Sequence, residues 1–390
     1  MIWGCHKMRF QKNLWRRVSL GEVVNELRII TNNPIDDGIE RYIGFEHIES
    51  ENLHVKQFGY ISDGVSFNKT FREGDVLFGK IRAYLKKVAI APFNGLCSGD
   101  LLVLRSNNEN ILSQEFLPYT ITTNNFYKLA IDTSIGTTMP RTKWQYISKH
   151  TFPLPPLDEQ KRIVELFRSI EQSIVDAEEQ EKNLLKLKQQ LLRDLFGSQK
   201  FGNYLIEEDF EKVNFEKVAF NISERVEPQQ TNLNIYIGLE HLDSDDLVIR
   251  RKGNPEDVIG TKLKIYKGDI IFGKRRAYLR KVAVSDFEGI VSAHSMVLRA
   301  NKETIEIGFL PYFMQSDEFM NRAVQISEGS LSPTIKWSTL ARQEFTLPKK
   351  NKQAQLVEVF IQLDKTRELV SQQKETLKNL KQKLLNEILG

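Results

Sequence analysis

Cysteine is nearly absent from this 390-residue chain. Cys5 and Cys97 are too few for a disulfide framework, and no CxxC or HxxxH spacing offers a zinc site. No apolar run approaches the ~20 residues that cross a bilayer, so no membrane span is expected. The amino terminus has basic residues but no apolar core or small-residue cleavage site of a secretory signal, and Met8 is an alternative start to Met1. These absences point to a reducing, cytoplasmic setting. Neither sign of charge dominates: 55 Lys and Arg against 51 Asp and Glu leave a net +4. A uniformly basic, histone-like binder is thereby excluded, whereas a locally basic face is not. Catalytic signatures are missing as well. There is no Asn/Asp-Pro-Pro-Tyr/Phe of an amino-methyltransferase, no Walker loop, no GxSxG and no HExxH. No catalytic residue, no metal ligand and no cofactor is expected on this chain.

What is present is repetition. Residues 42–48 (YIGFEHI) recur at 236–242 (YIGLEHL), an offset of 194 that also carries 74–80 (GDVLFGK) onto 268–274 (GDIIFGK) and 83–89 (AYLKKVA) onto 277–283 (AYLRKVA). One residue fewer, 193, carries 116–119 (FLPY) onto 309–312, Lys143-Trp144 onto Lys336-Trp337 and 152–155 (FPLP) onto 345–348 (FTLP). The chain is therefore two halves of one fold.

Each half has the same internal order. A β-rich region comes first, its β-branched and aromatic runs punctuated by Gly, Asn and Asp. A helix is predicted over about 115–122 and 307–315, then a further short one. A loop rich in Gly, Thr, Ser and Pro follows (136–142; 329–334), and prolines at 153–156 and at 348 close the globular part.

Each half ends in a long helix, the first with Asp158 as its expected cap. Heptad spacing selects Ile163, Phe167, Ile170, Ile174, Ala177, Leu184, Leu191 and Leu195, interrupted by Glu181 and Lys188. The second seam is Leu356, Phe360, Leu363, Val370, Leu377, Leu384 and Ile388, interrupted by Arg367, Lys374 and Lys381. A sustained period of 3.5 argues for a coiled coil, and about 37 helical residues reach roughly 55 Å. The expected partner of each helix is its duplicate, running antiparallel in the same chain. With centres near 178 and 371, Glu181 is predicted to pair with Arg367.

Two basic clusters fall at equivalent places. Lys80, Arg82, Lys86 and Lys87 surround Tyr84; Lys274, Arg275, Arg276, Arg280 and Lys281 surround Tyr278. Cations neutralise phosphates and tyrosine adds a hydrogen bond or stacking surface, with Gly79 and Gly273 allowing close backbone approach. A basic run by itself fits a solvated strand edge; recurrence in both halves, taken with the family resemblance given below, favours DNA contact. A second candidate is the loop pair with Arg141 and Lys143, and with Lys336. Trp144 and Trp337 read as packing residues. His47 and His241, each in Glu-His, read as structural hydrogen-bond or DNA-contact residues, not metal ligands. Segments 53–70, 247–265, 122–135 and 315–328 match poorly across the repeat and are the places to look for base readers.

Taken together, these features resemble the specificity subunits of type I restriction–modification enzymes. The resemblance covers nearly the whole chain and rests on the alternation of variable regions with long helices, on GDxxFGK, and on PLPPLDEQ (153–160) before the first helix. The second helix departs from that start, LPKKNKQ (347–353) keeping only Pro348 and Gln353. The implied fold is α+β: target-recognition domains at 1–157 and 198–348, and antiparallel spacer helices at 158–197 and 349–390. The resemblance implies a non-enzymatic subunit that binds a split double-stranded DNA target, each domain reading one half. Its helices set the spacer and dock two methyltransferase subunits, which carry S-adenosylmethionine and methylate adenine at N6; translocase–nuclease subunits complete a restricting complex. The competing readings are the equivalent subunit of a type IIB-like system and a two-headed coiled-coil adaptor for proteins.

Overall fold

The computed structural model describes residues 10–197 and 204–390; Cys5 and the alternative start at Met8 lie outside the described residues. The chain divides into two units, Met1–Ala177 with Gln372–Gly390, and Glu178–Ser371. No helix among the described residues is long and apolar enough to cross a membrane.

In the first unit, strands Val24–Leu27, Leu101–Ser106, Val76–Gly79 and Val88–Ile90 form an antiparallel sheet in that order. Because side chains alternate along a strand, this sheet serves two cores. Val76, Phe78, Leu102 and Leu104 face one that also holds helix residues Phe126 and Phe167. Leu77, Leu101 and Val103 face a second core with Ile43, Phe71 and Cys97. The latter come from a mixed sheet of Gly59–Tyr60, Arg41–Ile43, Gly95–Cys97 and Lys69–Phe71, in which the central pair is parallel.

The second unit repeats this plan. Ala219–Ile222, Met296–Ala300, Ile270–Phe272 and Val282–Val284 form the antiparallel sheet, with Ile270 and Phe272 on one core and Ile271 and Val297 on the other. Its mixed sheet keeps three equivalent strands and both edge pairings, which differ in extent. Arg225–Val226 pairs with Lys262–Ile265 where the first unit has a single bridge from Ile30 to Lys69, and Gly253 bridges Tyr236 where the first unit has the strand Gly59–Tyr60.

The GDxxFGK motif is mostly structural. Gly74 (φ +84°) and Gly268 (φ +92°) take the left-handed turn before the strand. Asp75 is buried and accepts a two-bond fork from Arg105 at 2.6 and 2.8 Å; Asp269 accepts the same from Arg299 at 2.7 and 3.0 Å. Phe78 and Phe272 are fully buried. A Cβ at Gly79 would come within 2.8 Å of the Phe45 ring, and one at Gly273 within 3.2 Å of Lys281. These glycines make room for neighbouring side chains of their own domain.

The helices predicted over 115–122 and 307–315 are shorter, Leu117–Thr120 and Phe309–Gln315, each followed by a nine-residue helix, Asn124–Asp132 and Asp317–Gln325. Thr123 and Ser316 cap these with their hydroxyls. The long helices are Leu157–Gly197 and Lys350–Leu389. Asp158 lies inside the first turn and is not the cap. Gln160 stitches the first helix to its domain: its amide donates to the carbonyls of Pro155 (2.8 Å) and Ile111 (2.9 Å) and accepts from the Ser113 N–H (2.9 Å). Gln353 repeats two of these bonds, to Pro348 O and from Glu306 N–H.

Every predicted seam residue is buried or half-buried. At their domain-proximal turns the seams serve the globular cores. Ile163, Phe167 and Ile170 join the first helix-facing core together with Leu384 and Ile388, and Leu191, Leu195, Leu356, Phe360 and Leu363 join the second. Beyond them the interruptions fix the register. Within the first unit Lys381 pairs with buried Glu171 at 2.7 Å, and within the second Lys188 pairs with Asp364 at 2.9 Å. Both pairs sum to 552, so residue 185 lies level with Arg367. The expected Glu181–Arg367 pairing misses this register by four residues, roughly 6 Å along the axis. The Arg367 guanidinium instead donates to Asp246 of its own globular domain at 2.8 Å. Equal centring is not what aligns the helices; a buried charge in each pair, Glu171 in the first and Lys188 in the second, that needs an opposite partner is.

Candidate nucleic-acid interface

Each basic cluster forms the tip of a hairpin, not a strand edge. In the first unit the chain leaves strand Val76–Gly79, turns through Arg82 (φ +46°), a single turn at Ala83–Leu85 and Lys86 (φ +50°), then returns as Val88–Ile90. The second does the same through Arg276 (φ +57°) and Arg280 (φ +53°). Four bulky cations in the left-handed region, at matching positions, mark a turn held by its surroundings.

The two candidates that the sequence offers separately are one site. Ile81 bridges Arg141, the Thr142 N–H donates to Lys80 O at 2.9 Å, and the Arg82 N–H donates to Pro140 O at 2.8 Å. In the second unit Arg275 bridges Thr334, Ile335 N–H donates to Lys274 O at 3.1 Å, and Arg276 N–H donates to Pro333 O at 2.8 Å. The proline loops thus serve as the second wall of each hairpin tip.

The cations of each cluster divide into two groups. Lys87 and Lys281 point inward, their ammonium groups donating to Phe45 O (2.9 Å) and Leu239 O (2.6 Å). Lys86 pairs with Glu51 at 2.6 Å, and the equivalent Arg280 pairs with Asp245 (2.7 Å) and Asp317 (3.0 Å). These four tie the hairpin to its own domain. Lys80, Arg82, Lys274 and Arg276 have no carboxylate partner within 4 Å among the described ion pairs, and Tyr84 and Tyr278 are about half exposed (53% and 54%). Lys143 is exposed, and Lys336 is exposed but paired with Glu328 at 2.6 Å.

In the first unit Lys80, Arg141 and Lys143 open onto a groove of about 780 Å³. Arg28 and Lys69 complete its positive lining, against one carboxylate, Glu26. Burial lowers the Lys69 pKa, and its ammonium donates to Leu101 O. Cys97 lies at the floor, its thiol pushed up to about 11 by burial, which leaves it unreactive. Lys69 and Asn68 fall in the poorly repeating segment 53–70; Arg28, at the end of an edge strand, carries no signal in the sequence.

His47 and His241 each accept from a backbone N–H through Nδ1, at 3.0 Å from Gly44 and Gly238. This is the structural hydrogen bond expected of them. Trp144 and Trp337 are half-buried against the helix-facing cores. No group of ligands able to hold a metal occurs among the described residues.

Two copies of one α+β domain, each carrying a cationic hairpin tip, coincide with a known family. The family described as type I restriction modification DNA specificity domain matches residues 12–187 and 227–379, and the chain belongs to it. The chain is 32% identical over 175 residues to the EcoDI type I specificity subunit of Escherichia coli, a match covering 44% of this chain and 36% of that protein. It is 24% identical over 325 residues to the MjaVIII specificity subunit of Methanocaldococcus jannaschii, covering 76% and 73%. A solved chain from work on complex assembly and conformational transition of the type I restriction–modification system shares the fold. Its TM-score is 0.60 at 20% identity, over 96% of this chain and 97% of that one.

Proposed function

We propose that this chain reads a split double-stranded DNA target, each globular domain binding one half-site, without chemistry of its own. The observation that carries this is the recurrence, in both halves, of a hairpin tip and proline loop that join two basic segments separated by about 60 residues in sequence. Lys80, Arg82, Tyr84, Arg141 and Lys143, and Lys274, Arg275, Arg276, Tyr278 and Lys336, are the proposed DNA contacts. Lys86, Lys87, Arg280 and Lys281 hold the tips in shape.

The long helices set the distance between half-sites and dock two methyltransferase subunits, with S-adenosylmethionine on those partners. Leu187 and Leu380, equivalent in the repeat, are both exposed on the helices, as a contact made twice requires. Translocase–nuclease subunits join the same assembly to restrict DNA.

The test is a selection on random-sequence duplex DNA by this chain with its methyltransferase partner. A bipartite motif with a fixed gap is expected, with affinity falling steeply as salt rises. Absence of any site preference, or salt-independent affinity, defeats the reading. Removing equal numbers of turns from both helices is expected to shorten the gap.

A further inference from the structure

The bridge that closes each hairpin tip pairs the same two repeat positions, yet its arginine sits on opposite sides. In the first unit the pair is Ile81 with Arg141; in the second it is Arg275 with Thr334. One arginine has exchanged strands. It is backed each time from a third equivalent position: Arg141 meets Asp100 Oδ1 at 3.4 Å, and Arg275 meets His294 Nε2 at 3.3 Å. Arg275 also donates to Ser332 Oγ at 2.9 Å.

Resting on the function proposed above, we propose that Arg141 and Arg275 are the specificity-determining arginines, each reading a guanine in its own half-site. A guanidinium presents a planar fork that matches the O6 and N7 acceptors of guanine in the major groove. Reading requires that fork to be held before DNA arrives, since a free arginine loses rotamer entropy on binding. Asp100 or His294 and Ser332 hold one edge and leave other N–H groups to donate. Lys80 and Lys274, the same residue on both tips, suit phosphates, which carry no sequence. Carrying the arginine on the opposite strand brings its fork to the base from the other side, so the two half-sites differ.

The experiment is the selection on random duplex DNA with the full complex, repeated for variants. Arg141→Ala is expected to relax one guanine position of one half-site by about 10- to 100-fold and leave the other half-site unchanged. Arg275→Ala should do the same in the other half-site. Arg141→Lys keeps the charge and is expected to lose the same preference, which separates lost reading from misfolding. Lys80→Ala should weaken all sequences alike and reduce the salt slope by about one. Retention of full base preference in both half-sites by Arg141→Ala and Arg275→Ala overturns the assignment while leaving the split-site reading standing. A wild-type complex without any preference overturns both.

Discussion

The two halves solve one problem, holding a long helix against a globular domain and against a second helix, with the same parts in different electrostatic states. In the first unit Tyr119 stacks on Phe167 at 4.9 Å and donates to Glu171 at 3.3 Å, which also pairs with Lys381. In the second Tyr312 stacks on Phe360 at 5.1 Å beside Asp364, which pairs with Lys188. The buried member differs. Glu171 is the more buried partner in the first pair (7% against 17% for Lys381), whereas Lys188 is the more buried in the second (5% against 21% for Asp364). The first site pools several donors around a buried anion. The second buries a cation whose pKa burial lowers and which has one carboxylate and the face of Tyr312 at 4.9 Å.

The largest effect should come from breaking the second arrangement on its wetter side. Asp364→Ala strands Lys188, and an uncompensated buried charge costs about 3–5 kcal/mol. Lys188→Met removes the charge with its burial and should cost far less, near neutral in urea denaturation. Lys381→Ala should fall between, because Tyr119 continues to donate to Glu171. Equal losses for Asp364→Ala and Lys188→Met would remove the asymmetry.

Acid should separate the halves next. His150 is buried between Phe126 and Phe152, and desolvation, with Arg17 adding to it, lowers its pKa to about 4. The unfolded imidazole binds its proton near pH 6.5 and the folded one does not, so the unfolded state gains protons as pH falls. Stability present above pH 6.5 is therefore lost between about 6.5 and 4, by roughly 3 kcal/mol at the limit. Gln343 holds the equivalent place in the second unit, bonded to Arg322 and Thr339. Hydrogen exchange at falling pH should show the first domain opening before the second, and His150→Gln should abolish that lead.

Much of this arrangement was legible in the chain. The offset of the repeat is arithmetic, the unbroken apolar run at 76–78 announces a strand buried on both faces, and the apolar seams mark the long helices. The function of GDxxFGK was harder to assign, since its Asp serves an arginine 30 residues on, and only the closed sheet brings Asp75 to Arg105. Register was not legible at all. Lys188 and Lys381 look like interruptions of a heptad, and nothing local says which carboxylate on another helix each will meet. The meeting of residue 81 with residue 141 is hidden likewise, because a bridge between distant loops leaves no periodicity.

The smallest difference lies where each helix leaves its domain. Gln160 makes three hydrogen bonds there and Gln353 two, the extra one running from the Gln160 amide to Ile111 O. Both glutamines are buried, so truncation leaves backbone groups unsatisfied with little access to water. Gln353→Ala should cost about 2 kcal/mol, and Gln160→Ala about 1 kcal/mol more, as one further bond implies. Amide exchange should quicken alike at Ser113 in Gln160→Ala and at Glu306 in Gln353→Ala, since each N–H loses its acceptor, so the excess shows only in the denaturation cost of stranding Ile111 O. Equal costs would mean that the Ile111 contact adds nothing, and that the poorer match at 347–353 left the second helix as firmly stitched as the first.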